Sequence, residues 1–192
     1  MLSKVIRWCV WMTFAGGQCC VGLVDAQPLS DGGHAEVPKE PVEPTNTHVD
    51  FAHSQVSEHA HALADWIVQS GDHQGMPFVL VDKIQARVFV FDKRGVLMGQ
   101  APVLVGLAPG DVGVNGIGDR PLSQILPHER ITPAGRFLAY LERNTSGQEI
   151  LWVDYEQGVS LHAVRSTDPK ERRLQRLATA TAHDNRISYG CI

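Results

Sequence analysis

The sequence predicts a mainly β domain with a few peripheral helices, on three observations. Short runs rich in apolar and β-branched residues recur along the second half of the chain: Phe78 to Val81, Ala86 to Phe91, Val96 to Val105, Arg136 to Leu141, Gln148 to Tyr155 and Val159 to Val164. Turn-forming clusters separate them, namely Asp82-Lys83-Ile84-Gln85, Asp92-Lys93-Arg94-Gly95, Asn144-Thr145-Ser146-Gly147 and Glu156-Gln157-Gly158. Helical spacing is confined to short stretches at either side of these runs.

The first helix is expected from Ser54 or Ser57. Val56, Ala60, Leu63 and Ile67 fall on one face, and Gly71 can end it. A second is expected after Asp168-Pro169-Lys170-Glu171, where Asp168 serves as N-cap, Pro169 takes the first position and Glu171 is placed for a capping box. Leu174, Leu177 and Ala178 would give it an apolar edge. Pro121 to Arg130 reads as an excursion of about one helical turn. Gly106 to Gly118, with glycines at 106, 110, 113, 116 and 118, lacks the Gly-Lys-Ser/Thr of a phosphate loop. It is either a long surface loop or a mobile wall of a substrate groove.

Before the strands the chain divides into two further pieces. Residues 1–26 carry Lys4 and Arg7, an apolar run around Val10, Trp11, Met12, Phe14 and Ala15, and Val24-Asp25-Ala26, a small-x-small site; this reads as a cleaved export signal. The run is interrupted by Gly16-Gly17-Gln18 and is short for a membrane anchor. Residues 27–54, rich in Pro, Asp, Glu, Thr and His, read as a disordered linker, and residues 55–192 as the folded domain. Cleavage would remove Cys9, Cys19 and Cys20 of the four cysteines, leaving Cys191 alone and excluding an internal disulfide. It would also remove a net +1 (Lys4, Arg7, Asp25), taking the formal charge from −4 to −5, which argues against nucleic acid as a partner. Histidines 34, 48, 53, 59 and 61 match no zinc spacing and read as surface residues.

The chemistry concentrates in Ile187-Ser188-Tyr189-Gly190-Cys191-Ile192. A cysteine is a nucleophile when its thiolate is populated, which needs a base, partial exposure and nearby N–H groups. Gly190 lets the backbone approach closely, and His162, near the end of the last predicted strand, is the leading base; His183 is the alternative.

Ser188-Tyr189-Gly190-Cys191, preceded by Ser160-Leu161-His162-Ala163, resembles the active-site signature of the L,D-transpeptidases. Val79 to Lys83 with Arg87 to Phe91 is similar to the opening hairpin of that family, and Thr132-Pro133-Ala134-Gly135-Arg136-Phe137 is similar to its internal turn. Tyr189 stands where many members have a second histidine. The family also continues past the cysteine, so a chain ending at Ile192 is expected to be a fragment of a longer one, its catalytic domain incomplete at the C-terminus.

The resemblance implies a β-sandwich-like fold and a cysteine acyltransferase that needs no cofactor or metal. It implies peptidoglycan stem peptides as partners, in the periplasm or cell envelope, with no membrane span left once the signal is cleaved. Cys191 would form a thioester with a stem peptide and His162 would move the proton. Ser188, Tyr189 and Gly190 would hold the oxyanion or orient substrate, and an amine would take the acyl group. Arg165 and Arg173 are candidate contacts for substrate carboxylates. Two other outcomes are a hydrolase on the same scaffold and a non-catalytic wall-binding module.

Overall fold

A computed structural model describes residues 7–13, 48–166 and 168–192. The fold is mainly β. Nine strands are β1 (Arg7–Met12), β2 (Phe78–Asp82), β3 (Arg87–Phe91), β4 (Leu97–Pro102), β5 (Val105–Gly106), β6 (Gly135–Arg143), β7 (Glu149–Asp154), β8 (Val159–His162) and β9 (Arg186–Ser188), with helices α1 (Glu58–Ser70) and α2 (Arg173–Leu177). Seven of them form one curled mixed sheet in the order β4-β3-β2-β1-β6-β7-β8, and β5 and β9 form a separate parallel ribbon. The strands thus divide into one large sheet and a two-stranded ribbon.

The centre of the sheet is formed by part of the segment that reads as an export signal. Residues 7–12 are its middle strand, parallel to β2 (Cys9 opposite Phe78) and antiparallel to β6 (Arg7 opposite Tyr140). Cys9, Val10, Trp11 and Met12 are at most 3% exposed. Cys9 and Trp11 point into one core with Phe78, Leu80, Phe89 and Phe91, whereas Val10 and Met12 point into the other with Val79, Val81 and Ala139. A strand covered on both faces is apolar at every position rather than at alternate ones. That composition is also the signature of an export leader, which is why the two read alike. Cys9 therefore belongs to the core of this fold. The stretch 14–47, which holds most of the expected linker, lies outside the described residues.

The linker's last residues are structured. Val49 and Phe51 are buried against α1 and the sheet, Phe51 packing edge-on to Phe89 and Phe91. Asp65 on α1 holds them by accepting the Val49 N–H at 2.7 Å and His48 Nδ1 at 2.8 Å. Burial pushes the Asp65 carboxyl up, but these bonds and the charge of His61 outweigh it and hold it below the ordinary value. Residues 48–54 and 7–13 thus pack with the unit expected from residue 55.

Helix α1 matches its sequence signals. Ser57 caps it by accepting the Ala60 N–H, Gly71 ends it in the left-handed conformation, and Ala60, Ala64 and Ile67 are buried beneath it. The second helix is shorter than expected. Asp168 accepts the Lys170 N–H, but the first turn is a 3-10 turn (Pro169–Glu171), and Arg172 in a left-handed conformation separates it from α2. Glu171 bonds Arg173 rather than closing a capping box. Between Pro121 and Arg130 the chain forms two 3-10 turns (Leu122–Gln124 and Pro127–Glu129) rather than one helical turn, and a third precedes them at Ile117–Asp119.

Candidate active site

His162 and Cys191, the base and nucleophile expected from the sequence, arrive on different sheets. Strand β8 carries His162 along the edge of the large sheet, paired with β7 (Ile150 opposite His162). The ribbon carries Cys191, because the chain leaves β9 directly into the turn Tyr189-Gly190-Cys191. Two backbone bonds then dock this turn onto β8: Ile192 N–H donates to Ser160 O and His162 N–H donates to Ile192 O, both at 3.0 Å. Ile192 is buried with Val153, Val159 and Ala139.

Three features build the turn. Gly190 sits at φ 127°, where a side chain is strained, and a Cβ there would lie 2.9 Å from Ile131 O. Ser188 is buried; its hydroxyl accepts the Gly190 N–H at 3.1 Å and donates to Cys191 O at 2.6 Å. The Thr132 hydroxyl accepts the Gly106 N–H and donates to Gly190 O, each at 2.8 Å. Ser188 is therefore a brace of the turn, with its hydroxyl engaged there. Gly190 N–H is likewise engaged. Among the described residues the N–H groups of Tyr189 and Cys191 have no hydrogen-bond partner, and these are the donors left for an oxyanion.

A backbone carbonyl orients the histidine. His162 Nδ1 donates to Ala163 O at 2.8 Å, which leaves Nε2 for the thiol. The hydrogen bond to Cys191 raises the imidazole's affinity for its proton; burial opposes it, and the Ala163 carbonyl adds to it. For Cys191, burial pushes the thiol up, yet the bonds from His162 and from the backbone and side chain of Ser160 outweigh it, and the thiol lies below its ordinary value. Ser160 Oγ is 3.7 Å from the sulfur, and the thiol faces Gly158 O at 3.3 Å. Both shifts favour a thiolate–imidazolium pair, the reactive state of a cysteine nucleophile.

The pair opens onto a groove of about 650 Å³. Pro102, Val103, Leu104, Leu122, Val164 and Leu177 give it apolar walls, and Arg165, Asp168, Glu171 and Arg173 give it charge of both signs. A volume within the usual range for ligand sites, about 300–1,000 Å³, accommodates a short peptide segment. Both predicted arginines line it. Arg165 is exposed, whereas Arg173 is largely covered and already paired with Glu171. Tyr189 also lines the groove, its ring covered by the Arg130 guanidinium at 3.8 Å. His183 is exposed and outside the lining, so His162 is the base the geometry selects.

The glycine-rich stretch does not line the groove; Leu122, just beyond it, does. The stretch is pinned elsewhere. Lys83, its side chain 2% exposed, donates from Nζ to Gly110 O and Asp111 Oδ1 at 2.7 and 2.8 Å. Burial lowers the Lys83 pKa and the Asp111 carboxylate opposes that. Sequence reasoning placed Lys83 in an ordinary turn; no local signal marks a lysine for burial when its partner lies beyond three intervening strands.

Comparisons with protein-family models, with curated proteins and with solved structures find no match.

Proposed function

We propose that this chain is a cysteine acyltransferase of the L,D-transpeptidase type, acting on peptidoglycan stem peptides in the cell envelope. One observation carries the reading: His162 and Cys191 line one peptide-sized groove, docked together through the Ile192–β8 backbone bonds, with both proton affinities shifted toward the ion pair. The Cys191 sulfur attacks the donor carbonyl, and the electron pair of the C=O moves to oxygen. Cys191 and Tyr189 N–H groups are the donors that meet that oxygen. The C–N bond breaks as His162 gives its proton to the leaving amine, and a thioester remains. An acceptor amine then attacks the thioester, His162 takes its proton, and the thiolate leaves. With water in place of the amine the same steps give a hydrolase.

Export and strand β1 make competing demands on residues 7–12. A leader cleaved after Ala26 leaves the sheet without its middle strand, so an envelope location on this fold calls for retention of the segment.

Intact mass after incubation with a carbapenem, beside Cys191→Ala, tests the reading. Lactam acylation adds the whole probe to the sulfur, and an adduct on the parent alone supports a working nucleophile. Absence of an adduct on the folded parent sinks acyl transfer and leaves a wall-binding module, read by sedimentation with purified sacculi. With a stem peptide and an amine, product mass separates transfer from hydrolysis.

A further inference from the structure

We propose that Thr132 is a positioning residue for acyl transfer: its hydroxyl aims the Cys191 N–H at the oxygen of the carbonyl under attack. The proposal rests on Cys191 being an acyl-transfer nucleophile.

Thr132 is 2% exposed. Its hydroxyl has one proton, and the direction of both bonds is fixed by their partners. Gly106 N can only donate to it, so the hydroxyl proton belongs to Gly190 O. The Gly190 carbonyl and the Cys191 N–H are parts of one peptide unit. No peptide bond among the described residues is cis, and in a trans unit the N–H points opposite to the C=O. Holding the carbonyl toward Thr132 therefore holds the N–H away from it.

Of the neighbouring amides, only Tyr189 N–H is left to share the task. Gly190 N–H is spent on Ser188 Oγ and Ile192 N–H on Ser160 O. The Gly190 peptide is also the least restrained part of the turn, because glycine leaves its backbone free to rotate. Ser188 fixes the turn on the Cys191 carbonyl side, and Thr132 fixes the peptide unit before it. Thr132 can reach both Gly106 and Gly190 because backbone meets backbone here. A Cβ on Gly106 would stand 2.4 Å from Arg130 O, and one on Gly190 would stand 2.9 Å from Ile131 O.

An oxyanion donor and a thiolate are separable by reaction type. Alkylation by iodoacetamide forms an S–C bond and expels iodide without an oxyanion. Acylation by a carbapenem passes through one. Rates of both are measured by intact mass on the full chain as parent, Thr132→Val and Thr132→Ser, with Cys191→Ala correcting for the other cysteines. Thr132→Val is expected to slow acylation about 10- to 100-fold, less than the full loss of an oxyanion donor, with alkylation changed less than about threefold. Thr132→Ser, which keeps the hydroxyl, is expected to restore acylation to within about threefold.

Equal loss of both reactions in a folded valine variant overturns the proposal in favour of a merely structural role. Unchanged acylation overturns it outright. Thr132→Ala carries the same expectation if valine prevents folding. A folded parent that alkylates normally but is never acylated removes the acyl-transfer reading itself, a different result from either of these.

Discussion

Removal of residues 1–26 tests the most consequential feature of the fold. Strand β1 pairs with β2 at four registered positions and with β6 at six, and deletion breaks both ladders at once. It also uncovers the partners of Cys9, Val10, Trp11 and Met12, which are between 0% and 3% exposed. Each such side chain is worth about 1.5–3 kcal/mol of burial, so the four together supply about 6–12 kcal/mol. Domains of this size have a net stability of about 5–15 kcal/mol, so the deletion removes most or all of it. Thermal and urea unfolding of the full chain and of residues 27–192, followed by near-ultraviolet circular dichroism, reads the difference. The shortened chain is expected to show no cooperative transition. Amide exchange in Phe78 to Val81 and Phe137 to Tyr140, the strands flanking the vacancy, should lose protection. A 27–192 chain that unfolds cooperatively within a few degrees of the full chain would falsify the placement of residues 7–12 in the sheet and restore the leader as a disposable piece.

Four further expectations concern the site and its supports. The pH profile of Cys191 alkylation should have its midpoint below the free-thiol value of about 8.5, because the folded thiol is held down by His162 and Ser160; His162→Ala should move the midpoint upward. Since the imidazole is held up, carbapenem acylation should be bell-shaped, rising as the thiol ionises and falling as His162 loses its proton above its ordinary value, and a profile rising monotonically to pH 10 would contradict the pairing. Gly190→Ala should slow acylation about 100-fold by displacing the turn, while Gly147→Ala, at φ 77° with open space around it, should cost stability without slowing acylation. Lys83→Met should destabilise the fold by about 3 kcal/mol by leaving Asp111 without its buried cation. The lower end of the usual range applies because the Asp111 side chain keeps 19% exposure, and denaturant unfolding at neutral pH checks it.

Local pattern carried much of this structure. The alternation Phe78/Leu80 against Val79/Val81 maps onto the two cores, and Ser57 and Gly71 bracket α1 as their chemistry requires. His162 and Cys191 could be paired from their motifs, although the sequence gives no measure of how the chain brings them together. What escaped the sequence is non-local. Residues 8–12 are apolar throughout, and that run serves equally for a leader and for a strand buried on both faces; only pairing with Phe78 and Leu138 separates them. Thr132 acts on residues at sequence distances of 26 and 58, and nothing beside it announces either partner. Arg172 breaks the second helix by taking a left-handed conformation that the capping signals around Asp168 do not foretell.

The division of base and nucleophile between the large sheet and the β5–β9 ribbon separates two quantities that are usually assumed to move together. Ellipticity and melting temperature are dominated by seven strands and a helix, whereas the proposed acyl transfer rests on the juxtaposition of His162 and Cys191, which depends on two docking bonds between Ile192 and β8. A preparation with the ribbon lifted away would count as native by the first pair of measurements and as empty by the second. Active-site titration is therefore the proper denominator for any rate measured on this protein, and a loss of titratable sites at constant ellipticity would report the ribbon rather than the fold.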